Sequence, residues 1–177
     1  MPYFHISMQS GSDLILKRMK RRHNRQQAID FCNEVKSIRK DAVFGADLIA
    51  GFPTENEHMF EKSVELIEEC QLTHLHVFPY SKRKFTPATF MPQLPKEIIK
   101  KRAKILREKG KEKLLNYLNK QIGLNDLMLV EYIEKNISYG KTQHYTKVKV
   151  NEPIKEGKIV KCKITKIEND LLEAVLV

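Results

Sequence analysis

Cysteine is scarce in this chain, and its placement excludes more than its number does. Cys32, Cys70 and Cys162 lie far apart, and no CxxC pair occurs. Neither a zinc nor an iron–sulfur site can be read from such spacing. Buried free thiols in a reducing cytosol are the expectation. Long apolar runs are also missing, since none approaches the roughly 18 residues that a membrane span requires. Met1-Pro2-Tyr3 leads straight into a strand-like segment, with no secretory pattern. A cytoplasmic protein with no membrane partner is expected. Composition makes no case for disorder either, because 41% of the residues are hydrophobic and 31% charged.

The 177 residues suffice for one ordinary domain or two small ones. Their net charge of +10 is unevenly spread. Residues 1–40 carry +6, residues 41–81 carry −7, residues 82–121 carry +10 and residues 122–177 carry +1. Two basic segments flanking an acidic one suit a surface that meets a polyanion, although solvated helix faces would look alike.

The stretch ADLIAGFPTENE (46–57) organises the first part of the chain. It reads as an apolar strand, Ala46 to Ala50, broken at Gly51-Phe52-Pro53 and restarting as a helix with Thr54 near its N-cap. Such a turn lies where α/β sheets place ligands, and Gly51 would let a ligand approach the backbone. Around it, strands are expected at Tyr3–Gln9 and Thr73–Tyr80. Helices are expected after Ser12, over Arg25–Lys40, over Glu57–Cys70 and over about Lys96–Ile122. Strand–helix–strand–helix–strand at these lengths predicts parallel βαβ units. After Gly123 only short alternating runs remain, separated by turn signals such as Lys135-Asn136 and Asn169-Asp170. That pattern predicts a small all-β barrel of the OB type, with a boundary between residues 1–121 and 122–177.

Few residues stand out chemically. Asp47 is the one acid in an apolar strand. His74 and His76 point the same way and are able to bind a metal, but no third ligand falls at an obvious spacing, so paired core or rim histidines are the simpler reading. Gln9 ends the first strand with an amide suited to holding a ligand. In the β region, Lys147 and Lys149 share one strand face and Lys161 and Lys163 another. Tyr139, His144 and Tyr145 interleave with these charges, the mixture that RNA binding uses. The solvent face of a small barrel would show the same lysines.

FHISMQSGSDLILKRMKR (4–21), DLIAGFPTENEHMF (47–60) and HVFPYSKRKFTPATFMP (76–92) resemble, in order and spacing, consecutive motifs of the radical S-adenosylmethionine (SAM) methylthiotransferases. The HVFPYS form is closer to the branch acting on threonylcarbamoyladenosine beside the tRNA anticodon than to the isopentenyladenosine branch. Residues 122–177 look like the TRAM domain, the RNA-binding β barrel that ends these enzymes. The resemblance implies the C-terminal half of a partial (βα)6 radical SAM barrel followed by a small OB-like barrel. It implies tRNA as substrate, S-adenosylmethionine and two [4Fe–4S] clusters as cofactors of the complete enzyme, and a methylthio group added to carbon 2 of the modified adenosine. By the same resemblance Gln9, Ser10, Asp47, Gly51, Phe52 and Pro53 are cofactor-pocket candidates, and Lys147, Lys149, Lys161 and Lys163 are RNA-binding candidates.

The departures from the family are large. The family's N-terminal domain, the first half of its barrel and its cluster-ligating CxxxCxxC are absent, and no cysteine here matches a cluster ligand. Where the family tends to read SPRxGTPA, Lys82 replaces a Pro and Phe85 a Gly, which predicts strain if that position needs positive φ. No catalytic residue can be assigned. The expectation is a truncated or split methylthiotransferase, inactive alone and dependent on a separately encoded N-terminal half that carries the clusters. A non-catalytic tRNA-binding protein and a decayed remnant are the alternatives. An open half-barrel should also leave a strand edge and a large apolar face uncovered.

Overall fold

The computed structural model describes all 177 residues, which form two compact units, Phe4–Lys113 and Leu114–Val177 with Met1–Tyr3. The first contains β1 (Tyr3–Gln9), α1 (Asp13–Arg18), α2 (Arg25–Ile38), β2 (Val43–Ala50), α3 (Glu57–Glu69), β3 (Leu72–Pro79) and most of α4 (Lys96–Asn119). The strands form a sheet in the order β1-β2-β3. β2 and β3 pair in parallel, with Ala46 opposite Leu75 and Asp47 opposite His76.

Alternation along β2 decides which face is dry. Phe44, Ala46, Leu48 and Ala50 are all buried, and they join Met8, Phe60, Leu66, Ile67, Leu72 and Leu106 in one core. Phe60 and Ile67 lie two helical turns apart on α3, which is why that helix seals the sheet. Each such large side chain contributes about 1.5–3 kcal/mol by its burial.

On the opposite face His5, His76 and Phe78 are exposed, and Asp47 and Ile49 are half-buried. The uncovered face expected of a half-barrel is present, but it is more polar than the expectation. An aspartate and two histidines interrupt its apolar positions.

Two boundaries differ from the sequence reading. β2 starts at Val43, because Val43 and Phe44 enter the core before Ala46 does. The N-cap of α3 is Asn56, whose side chain accepts the Met59 N–H at 2.9 Å. Thr54 instead adopts φ +69°, and its N–H donates to the Pro92 carbonyl at 3.1 Å. The turn after Gly51 therefore needs two more residues before the helix begins. α2 is capped by a reciprocal capping box between Asn24 and Gln27.

The second unit is a closed barrel of β4 (Asn125–Glu134), β5 (Ile137–Thr142), β6 (Lys147–Val150), β7 (Ile159–Glu168) and β8 (Leu171–Leu176), in the order β4-β5-β6-β8-β7. β6 and β8 pair in parallel, and the other neighbours pair antiparallel. Met128, Val130, Val148, Val150, Cys162, Ile164, Leu172 and Ala174 alternate inward and fill it. Lys135-Asn136 and Asn169-Asp170 have positive φ at both residues, the geometry of tight hairpin turns that match strand twist. Gly140 permits β5 to close on β4, because a Cβ there would lie 1.9 Å from the Leu129 carbonyl oxygen.

Candidate functional site

A cleft of about 550 Å³ opens where β1, β2 and β3 end, lined by Gln9, Asp47, Ile49, Phe52, Phe78 and Tyr80. Phe52 and Tyr80 meet edge to face, with centroids 5.5 Å apart. Arg18, Lys20, Arg21 and Arg83 also line the cleft and supply positive charge. The hydroxyl of Tyr80 is buried without a hydrogen-bond partner, which leaves one wall with an unsatisfied polar group. An apolar, aromatic cleft with one carboxylate, one amide and several cations suits a ligand with a flat ring, a cationic part and an anionic part.

Only some of the cofactor-pocket candidates meet there. Gln9, Asp47 and Phe52 line the cleft, whereas Ser10, Gly51 and Pro53 are buried outside its lining. The Ser10 hydroxyl accepts the Ser12 N–H at 3.2 Å and lies 3.4 Å from the Ser63 hydroxyl. Gly51 has φ +74°, and a Cβ on it would sit 2.7 Å from the Ile99 side chain. Glycine is required here by the approach of α4 rather than of a ligand.

The turn behind the cleft is held by a buried ion pair. Gly51 N–H donates to the Glu55 carboxylate at 3.0 Å. Arg102 of α4 donates to the same carboxylate at 2.9 Å, to the Glu55 carbonyl at 2.7 Å and to Glu57 at 2.8 Å. Burial pushes the Glu55 carboxyl above its ordinary range, against the lowering effect of the Gly51 N–H and of Arg102. The Arg102 that satisfies Glu55 lies 47 positions away, and no local sequence signal connects them.

The loop after β3 carries the strain expected of it. Phe85 has φ +64° and is 98% exposed, so the ring gains nothing that offsets its left-handed backbone. Phe85→Gly should therefore raise stability by about 0.5–1 kcal/mol, the relief of a non-glycine residue in that region less the extra chain entropy of glycine. A urea midpoint that moves up checks this, and one that moves down contradicts it.

On the barrel, Lys147, Lys161 and Lys163 are exposed. Lys149 is half-buried and bonded to Glu168 at 2.6 Å and Glu173 at 3.3 Å, so its charge is largely taken up within the fold. Tyr132 and Tyr139 face one another across β4 and β5 and stack with centroids 5.0 Å apart. Tyr132 was not singled out from sequence, because only the strand register shows that it meets Tyr139. Lys141 lies 3.9 Å above the Tyr145 ring. His144 bonds Asp126 at 3.1 Å; burial works to raise the Asp126 carboxyl, but His144 and the Leu127 N–H outweigh it and hold the group below its usual range.

The cysteines do not fit an iron–sulfur cluster, which needs several converging thiolates. All three are buried free thiols. A hydrogen bond between the Cys32 and Cys70 thiols lowers Cys32 and, with burial, raises Cys70. Cys162 lies in the other unit, pushed up to about 11 by burial.

A parallel-stranded α/β unit with a cleft at its strand ends, followed by a closed five-stranded barrel, defines the class. Residues 1–67 match the family model of the radical SAM superfamily. The chain is 49% identical over 177 residues to the threonylcarbamoyladenosine tRNA methylthiotransferase MtaB of Rickettsia prowazekii, covering all of this chain and 41% of that protein. It is 38% identical over 162 residues to the protein of the same name from Aquifex aeolicus, covering 90% of this chain and 38% of that one. The tRNA-2-methylthio-N(6)-dimethylallyladenosine synthase of Ehrlichia chaffeensis is 40% identical over 124 residues, 70% of this chain and 28% of that protein. The chain is therefore a relative of the radical S-adenosylmethionine methylthiotransferases, and the resemblance read from its motifs holds. It spans about two fifths of the length of the two curated MtaB relatives.

Proposed function

We propose that this chain supplies the C-terminal part of a tRNA methylthiotransferase that modifies carbon 2 of threonylcarbamoyladenosine beside the anticodon. The supporting observation is its 49% identity, over every residue, to a protein named for that reaction. In this reading the β1-β2-β3 sheet is the C-terminal half of a partial (βα)6 barrel, and the closed barrel is a TRAM domain of the OB type. S-adenosylmethionine fits the cleft, whose unsatisfied Tyr80 hydroxyl, Asp47 carboxylate and Gln9 amide can hold a polar ligand. When bound, that cofactor supplies radical chemistry. Gln9, Asp47 and Phe52 would contact it, while Ser10, Gly51 and Pro53 fix the backbone behind them. The clusters do not fit this chain, so their thiolates would come from a separately encoded N-terminal half.

Purification of the chain alone, and co-expressed with an N-terminal half bearing CxxxCxxC, tests the reading. Iron in the complex and new 2-methylthio-threonylcarbamoyladenosine in tRNA are expected only with both halves. Halves that never associate overturn the split enzyme. A second reading, a non-catalytic tRNA-binding protein, draws on the thiols that fit no cluster and on a barrel whose five strands close without help from another chain.

A further inference from the structure

We propose that His5, Asp47 and His76 form a site for a single divalent first-row metal ion on the uncovered face of the β1-β2-β3 sheet. Three neighbouring strands each contribute one residue. Asp47 and His76 are direct partners in the parallel register, and His5 reaches the same carboxylate from β1. His5 Nε2 lies 2.9 Å and His76 Nδ1 3.4 Å from the one oxygen Asp47 Oδ1. The three ligand atoms all lie within 4.8 Å of one another, and the imidazole centroids are 5.0 Å apart.

These separations are close to those of a metal's donor shell. Metal–ligand bonds of about 2.0–2.1 Å in a tetrahedron put neighbouring donors about 3.3 Å apart. Both edges that involve Asp47 are within about half an ångström of that. The His5–His76 edge closes by about 1.5 Å at most, which rotation of two solvent-facing rings provides.

Two imidazoles and one carboxylate, without a thiolate, select Zn²⁺, Co²⁺, Ni²⁺ or Fe²⁺ over Mg²⁺ and Ca²⁺. Three protein ligands leave a position open on the solvent side, as sites that bind a further ligand do. The site is distinct in chemistry from a thiolate cluster. It does not rest on the methylthiotransferase reading, because all three ligands belong to this chain. No spacing rule exposes residues 5, 47 and 76 together; sequence reading reached only the pair His74 and His76, and the strand register supplies the other two ligands in place of His74.

Titration of the chelator-stripped 177-residue chain with Co²⁺ tests the site. One equivalent with visible d–d absorption is expected, bleached by Zn²⁺ and unaffected by millimolar Mg²⁺. His76→Gln, at an exposed position, and the near-isosteric Asp47→Asn should each weaken binding roughly tenfold or more, with circular dichroism unchanged. His58→Ala, an exposed histidine on α3, should leave binding as it was. Absence of the band at millimolar Co²⁺, or a band that survives both His76→Gln and Asp47→Asn, overturns the proposal. Those outcomes leave the iron and nucleoside measurements on the co-expressed halves unaffected, so the two readings fail separately.

Discussion

Arg102→Met is expected to lower the unfolding free energy by about 3–5 kcal/mol, the usual cost of removing one partner of a buried ion pair. Arg102 is 5% exposed and Glu55 is 3% exposed, so water cannot take over the lost hydrogen bonds. The Glu55 carboxylate would keep the Gly51 N–H but lose its countercharge, and its second oxygen has no partner even in the intact protein. The pH dependence carries a definite sign. The folded-state pKa of Glu55 is raised, so the folded chain binds protons that the unfolded chain does not. That contribution is complete below the unfolded value near 4.5 and declines as pH rises through the folded one. Without Arg102 the folded value rises further, so the variant should regain part of its stability as the solution is acidified toward pH 4.5. Glu55→Gln combined with Arg102→Met should recover most of the loss, since a neutral amide replaces the stranded charge. Chemical denaturation of the single and double variants at two pH values reads all of this. A single variant as stable as the parent would show that the pair does not fix the turn.

The pair also marks how far sequence reading reached. β1, α2, α3 and β3 were legible to within a few residues, and the barrel as a set of short alternating runs, because apolar residues recur at spacings of two or of three to four. The α3 cap was misplaced by two residues, since Thr54, Asn56 and Glu57 all look like cap chemistry, and only the turn's backbone shows that Thr54 is left-handed. Phe85 was legible as strain because a family pattern names glycine there. What stayed hidden depends on register between distant strands or helices. Glu55 meets Arg102, His5 and His76 meet on Asp47, and Tyr132 meets Tyr139. Each partnership joins residues that are ordinary within their own segments. The cleft sorts its candidates in the same way, since Gln9, Asp47 and Phe52 face it and Ser10, Gly51 and Pro53 do not.

Lys161→Glu with Lys163→Glu should weaken tRNA binding by roughly 100-fold near physiological salt and reduce the salt slope by about 1.4–1.8, at 0.7–0.9 per lost phosphate contact. Residues 122–177 carry only +1, so the proposed RNA binding would rest on where the lysines lie rather than on the barrel's total charge. Lys161 and Lys163 flank the buried Cys162 and therefore project outward together from β7. Lys149 shares its charge with Glu168 and Glu173, and Lys149→Ala should change affinity by less than about threefold, as ion-paired surface residues do. The stacked Tyr132 and Tyr139 offer a flat aromatic surface, and Tyr132→Ala should cost about 1–3 kcal/mol of binding if a base stacks there. That loss should not change the salt slope, because no phosphate contact is removed. Filter binding across a salt series separates the two classes of contact. A slope unchanged by the double lysine variant would mean that β7 does not meet phosphate, and the RNA-binding assignment of this barrel would fail with it.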